Sequence, residues 1–367
     1  MQRWSEYRDR AEIRALWKLR FGDHDRFLDW FFQERFSPAT SAVTEEDGRI
    51  LTSIQSFPFP VKIRDAVLPG AVIAGVSTLP EAEGRGHMGR TMRFYMNGIA
   101  ARGAVVIPYR PEILAMYAGF GHYPVTDTVY FRVDAPVGGV SPAVVPLDFR
   151  RDESLIWDCY RRAAGRYSGI IARSLADMRL KLHDYAADDG RALGIFEDSG
   201  RLSAYAIFFE REERYVEEFL ANDPGAETAL FSALSAVPDG RALRGKLPPD
   251  TTLHAAGLLT ERRPMNVMGV ADVSALLSAV CHLPDYTVEV QDRTVSANHG
   301  VFTFSGKPTE KAPQIRLEAG RLTQFVCGYR SLSELAARGE AEILDAGAAR
   351  ELDAALPPMT CYSLDEY

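Results

Sequence analysis

The 367-residue sequence predicts a mixed α/β (α+β) protein of two or three domains. Three observations carry this prediction. Helical periodicity and extended apolar runs alternate along the chain instead of segregating. A glycine turn at residues 84–89 opens an amphipathic helix after a strand-like run. The middle of that unit, a hairpin followed by a strand and a helix, recurs further along without the glycines.

The elements follow in order. Ile13, Leu16, Trp17 and residues 19–21, then Phe27, Leu28, Phe31 and Phe32, recur at helical spacing and predict two helices. Beyond Pro38 the texture becomes strand-like, and TSAVTEEDGRILTSIQSFPF carries an Asp47-Gly48 turn between two extended runs. PVKIR and LPGAVIAGVSTL add two more, for a four-stranded antiparallel meander. After the glycine turn come a helix from about Met88 to Ala101, a short strand AVVIP, a helix near 112–118 and a strand TDTVYFRV, expected to complete the unit. Residues 134–147, DAPVGGVSPAVVPL, read as a linker.

The second unit opens with a helix around SLIWDCYRRAAGRYSG. It continues with the strands ALGIFE and LSAYAIFFE around Asp198-Ser199-Gly200, a strand RYVEEFL, and a helix from about Ala226 to Ala236. Its strand-to-helix turn, ANDPGAE, lacks the glycine triplet. A third region begins near Arg263, with a helix DVSALLSAV, strands YTVEVQD and VFTFSG, and a helix SLSELAARGE. Ser331 caps that last helix, with Glu334 three residues on. The expected divisions are 1–134, 135–262 and 263–367.

Composition narrows the function. The formal charge of −8 argues against a general nucleic-acid binder and tilts association toward cationic small molecules. The N-terminus, MQRWSEYRDRAEIR, is charged throughout and lacks the apolar region of a signal peptide, so a cytoplasmic chain is expected. No apolar run approaches the ~18 residues of a membrane span. Cys159, Cys281, Cys327 and Cys361 show no paired spacing and are expected to be reduced, half-buried hydrophobes. The seven histidines show no metal-binding spacing, and His122 and His183 read as structural or surface residues.

The turn itself, GVSTLPEAEGRGHMGRT, fits three phosphate-cradling patterns. As a dinucleotide fingerprint, Gly84, Gly86 and Gly89 stand too far from the strand end, behind Pro80, Glu81, Ala82 and Glu83. The strands before them also look antiparallel, and Glu112, the nearest acidic residue, lies beyond Pro108 and Pro111. As a P-loop it has Arg90 in place of the lysine and no strand-ending aspartate for magnesium. A turn that binds nothing is the bland alternative. The third pattern is the acetyl-CoA loop of GNAT N-acetyltransferases, and the order of elements agrees with it.

Two stretches sharpen that reading. GVSTLPEAEGRGHMGRTM followed by PEILAMYAGFGHYPV resembles the Eis (enhanced intracellular survival) branch of the GNAT family. That branch has a G-V-x-x-x-P strand end, a basic glycine turn and an x-x-Y-x-x-F-G-[YF] helix, here residues 116–123. The resemblance extends over the whole chain. It implies tandem GNAT folds, the second degenerate, followed by a sterol-carrier-protein-like α+β domain, and it implies a homo-oligomer, a hexamer in the family. Two positions depart from the family turn: Glu83 stands where Arg or Gln is usual, and Met88 where the last small residue falls. Glu83 is expected to repel a pyrophosphate unless its side chain turns outward, with Arg85 and Arg90 compensating.

The resemblance also implies a chemistry: transfer of an acetyl group from acetyl-CoA to a primary amine. The amine belongs to a small molecule, aminoglycoside-like or polyamine-like, or to a peptide lysine. Val76, Ser77 and Thr78 offer backbone groups to the pantetheine arm. Gly84, Arg85, Gly86, His87, Met88 and Gly89 hold the phosphates with the dipole of the following helix, and Glu112 and Ile113 complete the cofactor-facing set. Tyr117 is the general acid for the CoA thiolate; a phenol of pKa ~10 against a thiol of ~8.5 makes that transfer uphill by roughly 2 kcal/mol. The carboxylate of Tyr367 is the general base, pairing with and orienting the ammonium before taking its proton. The alternative is a non-catalytic CoA or lipid carrier whose acetyltransferase domain has decayed.

Overall fold

In the computed structural model, residues 1–134, 143–236, 241–253 and 258–365 are described. They form two compact units. The first comprises 1–126, 265–361 and the tail from Asp365; the second comprises 127–264 and 362–364. No helix among the described residues is long and apolar enough to cross a membrane.

The main sheet of the first unit has the strand order Gln2–Trp4, Ala42–Glu46, Arg49–Ile63, Ala66–Thr78, Val106–Tyr109, Val267–Val270, Tyr123–Pro124. The expected turn is present, with Asp47 and Gly48 both at positive φ. The meander has one strand fewer than expected. FPF and PVKIR belong to a single fifteen-residue strand, Arg49–Ile63. Pro58 and Pro60 share a parity, so both missing N–H groups lie on one side of that strand. Helices Arg10–Phe21 and Asp25–Glu34 cover one face. There Trp17 packs over Phe31 and lies so close to Gly75 that a Cβ would collide with its ring. Helix His87–Ile99 covers the other face, burying Met92, Tyr95 and Met96 against Ile54, Ala71 and Ile73.

The same unit contains a smaller sheet, Gly300–Phe304, Leu283–Gln291, Ile315–Glu318, Ala341–Ile343. Ser331 and Glu334 form the anticipated capping box at the helix Leu332–Ala337. Arg64, at positive φ just after strand Arg49–Ile63, ties the main sheet to two helices beside the smaller one, Ala319–Cys327 and Ala346–Ala355, by donating to Val326 O at 2.8 Å and Leu356 O at 3.0 Å.

The second unit has the strand order Leu259–Pro264, Asp127–Val133, Leu243–Leu247, Arg214–Ala221, Leu202–Glu210, Arg191–Phe196, Val144–Leu147. Two expectations change here. TDTVYFRV does not complete the first unit: Asp127–Val133 pairs with Leu243–Leu247 and Leu259–Pro264, and Val267–Val270 takes the expected place beside Val106–Tyr109. The partners lie more than a hundred residues away along the chain, and a local pattern does not name them. The linker expectation also changes in part. Val144–Leu147 is a strand paired with Arg191–Phe196, while 135–142 lie outside the described residues. The four cysteines are buried thiols, more enclosed than expected.

Candidate active site

Strands Ala66–Thr78 and Val106–Tyr109 run parallel, yet among the described residues they pair only where Gly70 faces Val106. Val105 N–H, donating to Pro69 O at 2.8 Å, closes that narrow end. Beyond it each strand follows its other neighbour. Val76, Ser77 and Thr78 stay opposite Ile54, Ser53 and Thr52, whereas Ile107 and Tyr109 face Gly269 and Val267. A bulge at Ala74 bends the first strand further. The result is a V whose inner edges carry backbone groups without a strand partner. The hydroxyls of Ser77 and Thr78 are occupied, bonding Ser53 at 2.9 Å and Thr52 at 3.1 Å.

The glycine turn follows directly. Gly84 and Gly86 sit at φ 72° and 74°, a conformation that strains any residue with a Cβ. Gly86 is the N-cap of helix His87–Ile99 and brings no side-chain oxygen, so the amides of His87, Met88 and Gly89 lack a cap. Such a terminus suits an anion. The His87 and Met88 side chains turn inward, and Met88 packs on the same core cluster as Val76 and Tyr117. Arg90 folds back onto the turn, with Nη1 donating to Arg85 O at 3.1 Å and Nη2 at 2.9 Å from His87 Nδ1. Arg90, Arg93 and Phe94 line an open hollow of about 520 Å³ alongside.

Glu83 does turn outward. Its carboxylate is paired with Arg20 at 2.6 Å, a partner from the first helix that neutralises the charge expected to repel a phosphate. The second unit is arranged otherwise at the corresponding turn. Asp223 caps helix Pro224–Ser235, accepting from Ala226 N–H at 2.9 Å, so a fixed negative charge already occupies that helix terminus.

Tyr117 lies near the end of the short helix Leu114–Ala118, with Ile113 at its N-cap position. Its ring is buried edge-on against Tyr109, with centroids 5.0 Å apart, and its hydroxyl makes no hydrogen bond among the described residues. Burial, with a smaller contribution from the Glu112 charge, pushes its pKa up to about 12. That exceeds the value assumed from sequence, because the phenolate would form in an apolar surround. Glu112 and Ile113 are both exposed; Ile113 is 56% and Met116 49% accessible beside Tyr117. Tyr367 lies outside the described residues. The described tail ends at Asp365, whose carbonyl accepts from Asn266 Nδ2 at 3.2 Å. Asn266 precedes Val267, which faces Tyr109.

Two residues beside Tyr117 were not singled out as site residues from sequence. Tyr109 and His122 share a 2.6 Å hydrogen bond through His122 Nδ1, and His122 Nε2 is buried without a partner. Burial lowers the His122 pKa to about 3, so the ring is neutral. Its position inside the 116–123 motif was the available signal. A depressed folded pKa means stability is complete above the unfolded value of ~6.5 and is lost as pH falls toward ~3. Between about pH 7.5 and about pH 5 the protein should lose roughly 2 kcal/mol through this residue. Urea denaturation of wild type and His122→Gln at both pH values checks this; equal pH dependence in the two proteins would remove the assignment.

Comparison with known proteins agrees with this geometry. Residues 4–125 match the acetyltransferase (GNAT) domain family, and residues 273–363 match the sterol carrier protein domain family. No curated protein sequence matches the chain. Among solved structures, a probable N-acyltransferase from Enterococcus faecalis superposes with a TM-score of 0.86 at 16% identity, covering 100% of this chain and 99% of the other. A GCN5-related N-acetyltransferase from Anabaena variabilis gives 0.84 at 13% identity, with 100% of both chains covered. Eis1 from Mycobacterium abscessus gives 0.78 at 20% identity, again with 100% of both chains covered. The chain therefore carries a GNAT acetyltransferase domain at residues 4–125 and a sterol carrier protein domain at residues 273–363, and over its whole length it shares the fold of these solved structures.

Proposed function

We propose that the chain transfers an acetyl group from acetyl-CoA to a primary amine. The observation that supports this best is the V between Ala66–Thr78 and Val106–Tyr109, with an uncapped helix terminus on one side and Tyr117 on the other. In this reading the backbone of Val76, Ser77 and Thr78 binds the pantetheine amides. The amides of the 84–89 turn, with Arg85, hold the pyrophosphate, and Glu112 and Ile113 flank the mouth. The amine nitrogen bonds to the thioester carbonyl carbon, the C–S bond breaks, and the departing thiolate takes the Tyr117 proton. The proton lost by the amine goes to the Tyr367 carboxylate, directly or through water. The carrier alternative drew its support from Glu83, and the Arg20 pair removes that argument.

Measuring CoA release from acetyl-CoA with a panel of primary amines tests the proposal. Turnover with at least one amine is expected, and none across the panel overturns it. Calorimetry should give one acetyl-CoA site per chain, because Asp223 fills the second turn; two equivalent sites would contradict this.

Two further expectations belong here. Glu83→Gln should tighten acetyl-CoA binding by about 2–5-fold at low salt, since it releases Arg20 toward the turn; both partners are exposed enough that the gain stays near 1 kcal/mol or below. An unchanged dissociation constant would show that Arg20 and Glu83 stand apart from the phosphates. A flexible extension fused after Tyr367 should slow turnover by about 10²-fold or more with acetyl-CoA binding intact, because it replaces the carboxylate by an amide. A rate equal to that of the unextended chain would return the tail to a structural role. The three-part domain division and a hexameric assembly also belong to this proposal, and sedimentation measures the latter.

A further inference from the structure

On one face of the first unit's main sheet, three polar side chains lack hydrogen-bond partners. Arg35 Nε and Nη2, Gln55 Nε2 and Oε1, and Ser41 Oγ are buried and unbonded. Strand alternation puts them together. Ile54 packs with Met92 and Met96, and Ser56 accepts from the Tyr95 hydroxyl, so Gln55 between them points to the opposite face. Phe57 shares that face, 6.2 Å from Phe31. Ala42 pairs with Ile54, and continuing that antiparallel register sets Ser41 across from Gln55. Arg35 reaches the same place: its guanidinium carbon is 5.4 Å from the Phe57 ring, 5.1 Å from Phe59 and 5.9 Å from Trp30. Gln55 also faces Gly75, next to the bulge that bends the strand at the V.

These groups are poor choices for an interior with nothing to bind. Gln55 is 1% and Ser41 0% exposed, and unsatisfied polar atoms at such depth are rare because they forfeit their hydration. The aromatic faces around Arg35 attract its charge but accept no conventional hydrogen bond from its N–H groups. Nε and Nη2 lie on one edge of the guanidinium, the fork that a carboxylate bridges with two parallel hydrogen bonds. No ion pair fills this fork among the described residues.

We infer that Arg35, with Gln55 and Ser41 beside it, binds a carboxylate of the acyl acceptor, so that the acceptor is an amine that also carries a carboxylate, as an amino acid does. This rests on the proposed acyl transfer to an amine, and it narrows the acceptor class. It runs against the cationic acceptors that the net charge favours, because a local fork with matched geometry outweighs a diffuse field.

Matched ligands test it on the full chain. Phenylalanine against 2-phenylethylamine, and lysine against 1,5-diaminopentane, differ only by the carboxylate. Calorimetry in the presence of CoA gives their dissociation constants, and CoA release gives kcat/KM. The carboxylate-bearing member of at least one pair should bind about 10-fold or more tightly. Arg35→Met should erase that preference, and Arg35→Lys should restore only part of it, since a point charge lacks the fork. A melting temperature for Arg35→Met no lower than wild type confirms that the loss is not unfolding. Equal binding within both pairs, or a preference that survives Arg35→Met, overturns the inference and assigns the orphan groups to buried water. A carboxylate preference lost in Arg35→Met, but with no CoA released from any amine, sustains the site and overturns the transfer reading instead.

Discussion

Replacing Tyr117 by phenylalanine should lower kcat by about 10²–10⁴-fold, the usual consequence of removing a general acid. Acetyl-CoA affinity and the melting temperature should stay near wild type, because the hydroxyl makes no hydrogen bond among the described residues and the ring keeps its edge contact with Tyr109. The raised pKa of about 12 sharpens the expectation. Against a thiol of ~8.5, proton transfer from Tyr117 is uphill by roughly 5 kcal/mol, more than twice the figure from unperturbed values. In the proposed reaction the proton would therefore move only as the C–S bond breaks and the sulfur gains charge. Tyr117 also stays protonated across the working range. The pH profile of kcat/KM should rise as the acceptor ammonium deprotonates and show no alkaline fall below about pH 10.5. A phenylalanine variant running at the wild-type rate would leave Tyr117 as a core aromatic and send the search for the acid elsewhere.

Glu218→Gln should destabilise the protein by about 3–5 kcal/mol, the cost of stranding a buried cation. In the second unit Arg173 Nη1 lies 2.8 Å from Glu218 Oε1, and the two side chains are 1% and 0% exposed. Tyr185 donates to the same carboxylate at 3.1 Å and Tyr205 donates as well, while the Arg173 guanidinium carbon stands 4.5 Å from the Tyr160 ring centre. Burial pushes Glu218 upward, but Arg173, the Tyr205 hydroxyl and Lys181 outweigh it and hold the carboxyl below its usual range. The charge is thus present and paired. The double variant Arg173→Met, Glu218→Leu should recover most of the loss, since removing both partners leaves no unpaired charge. Urea denaturation of the three proteins checks this. A Glu218→Gln protein within about 1 kcal/mol of wild type would mean that the three remaining partners suffice without the ion pair.

Much of the site was readable because its signals are local. The Asp47-Gly48 turn, the Ser331 capping box and the uncapped 84–89 turn each depend on residues within a few positions, where φ preference and short-range hydrogen bonds act. The 116–123 motif places Tyr117 for the same reason. The continuous strand Arg49–Ile63 was missed because its prolines look like breaks, although their shared parity lets a strand pass through.

Local pattern along the chain thus established the order of most elements, the turn that can cradle an anion, and the motif that carries Tyr117. Tertiary structure decided which sheet each strand joins: Asp127–Val133 pairs with Leu243–Leu247, and Val267–Val270 pairs with Val106–Tyr109, each a partner far along the chain. It also decided the electrostatics. Arg20 neutralises Glu83; burial, with a smaller contribution from Glu112, raises the Tyr117 pKa; and the fork of Arg35 meets only aromatic faces beside Gln55 and Ser41. Charge and desolvation depend on distances between residues far apart in the chain, and pattern along a sequence carries no such distances.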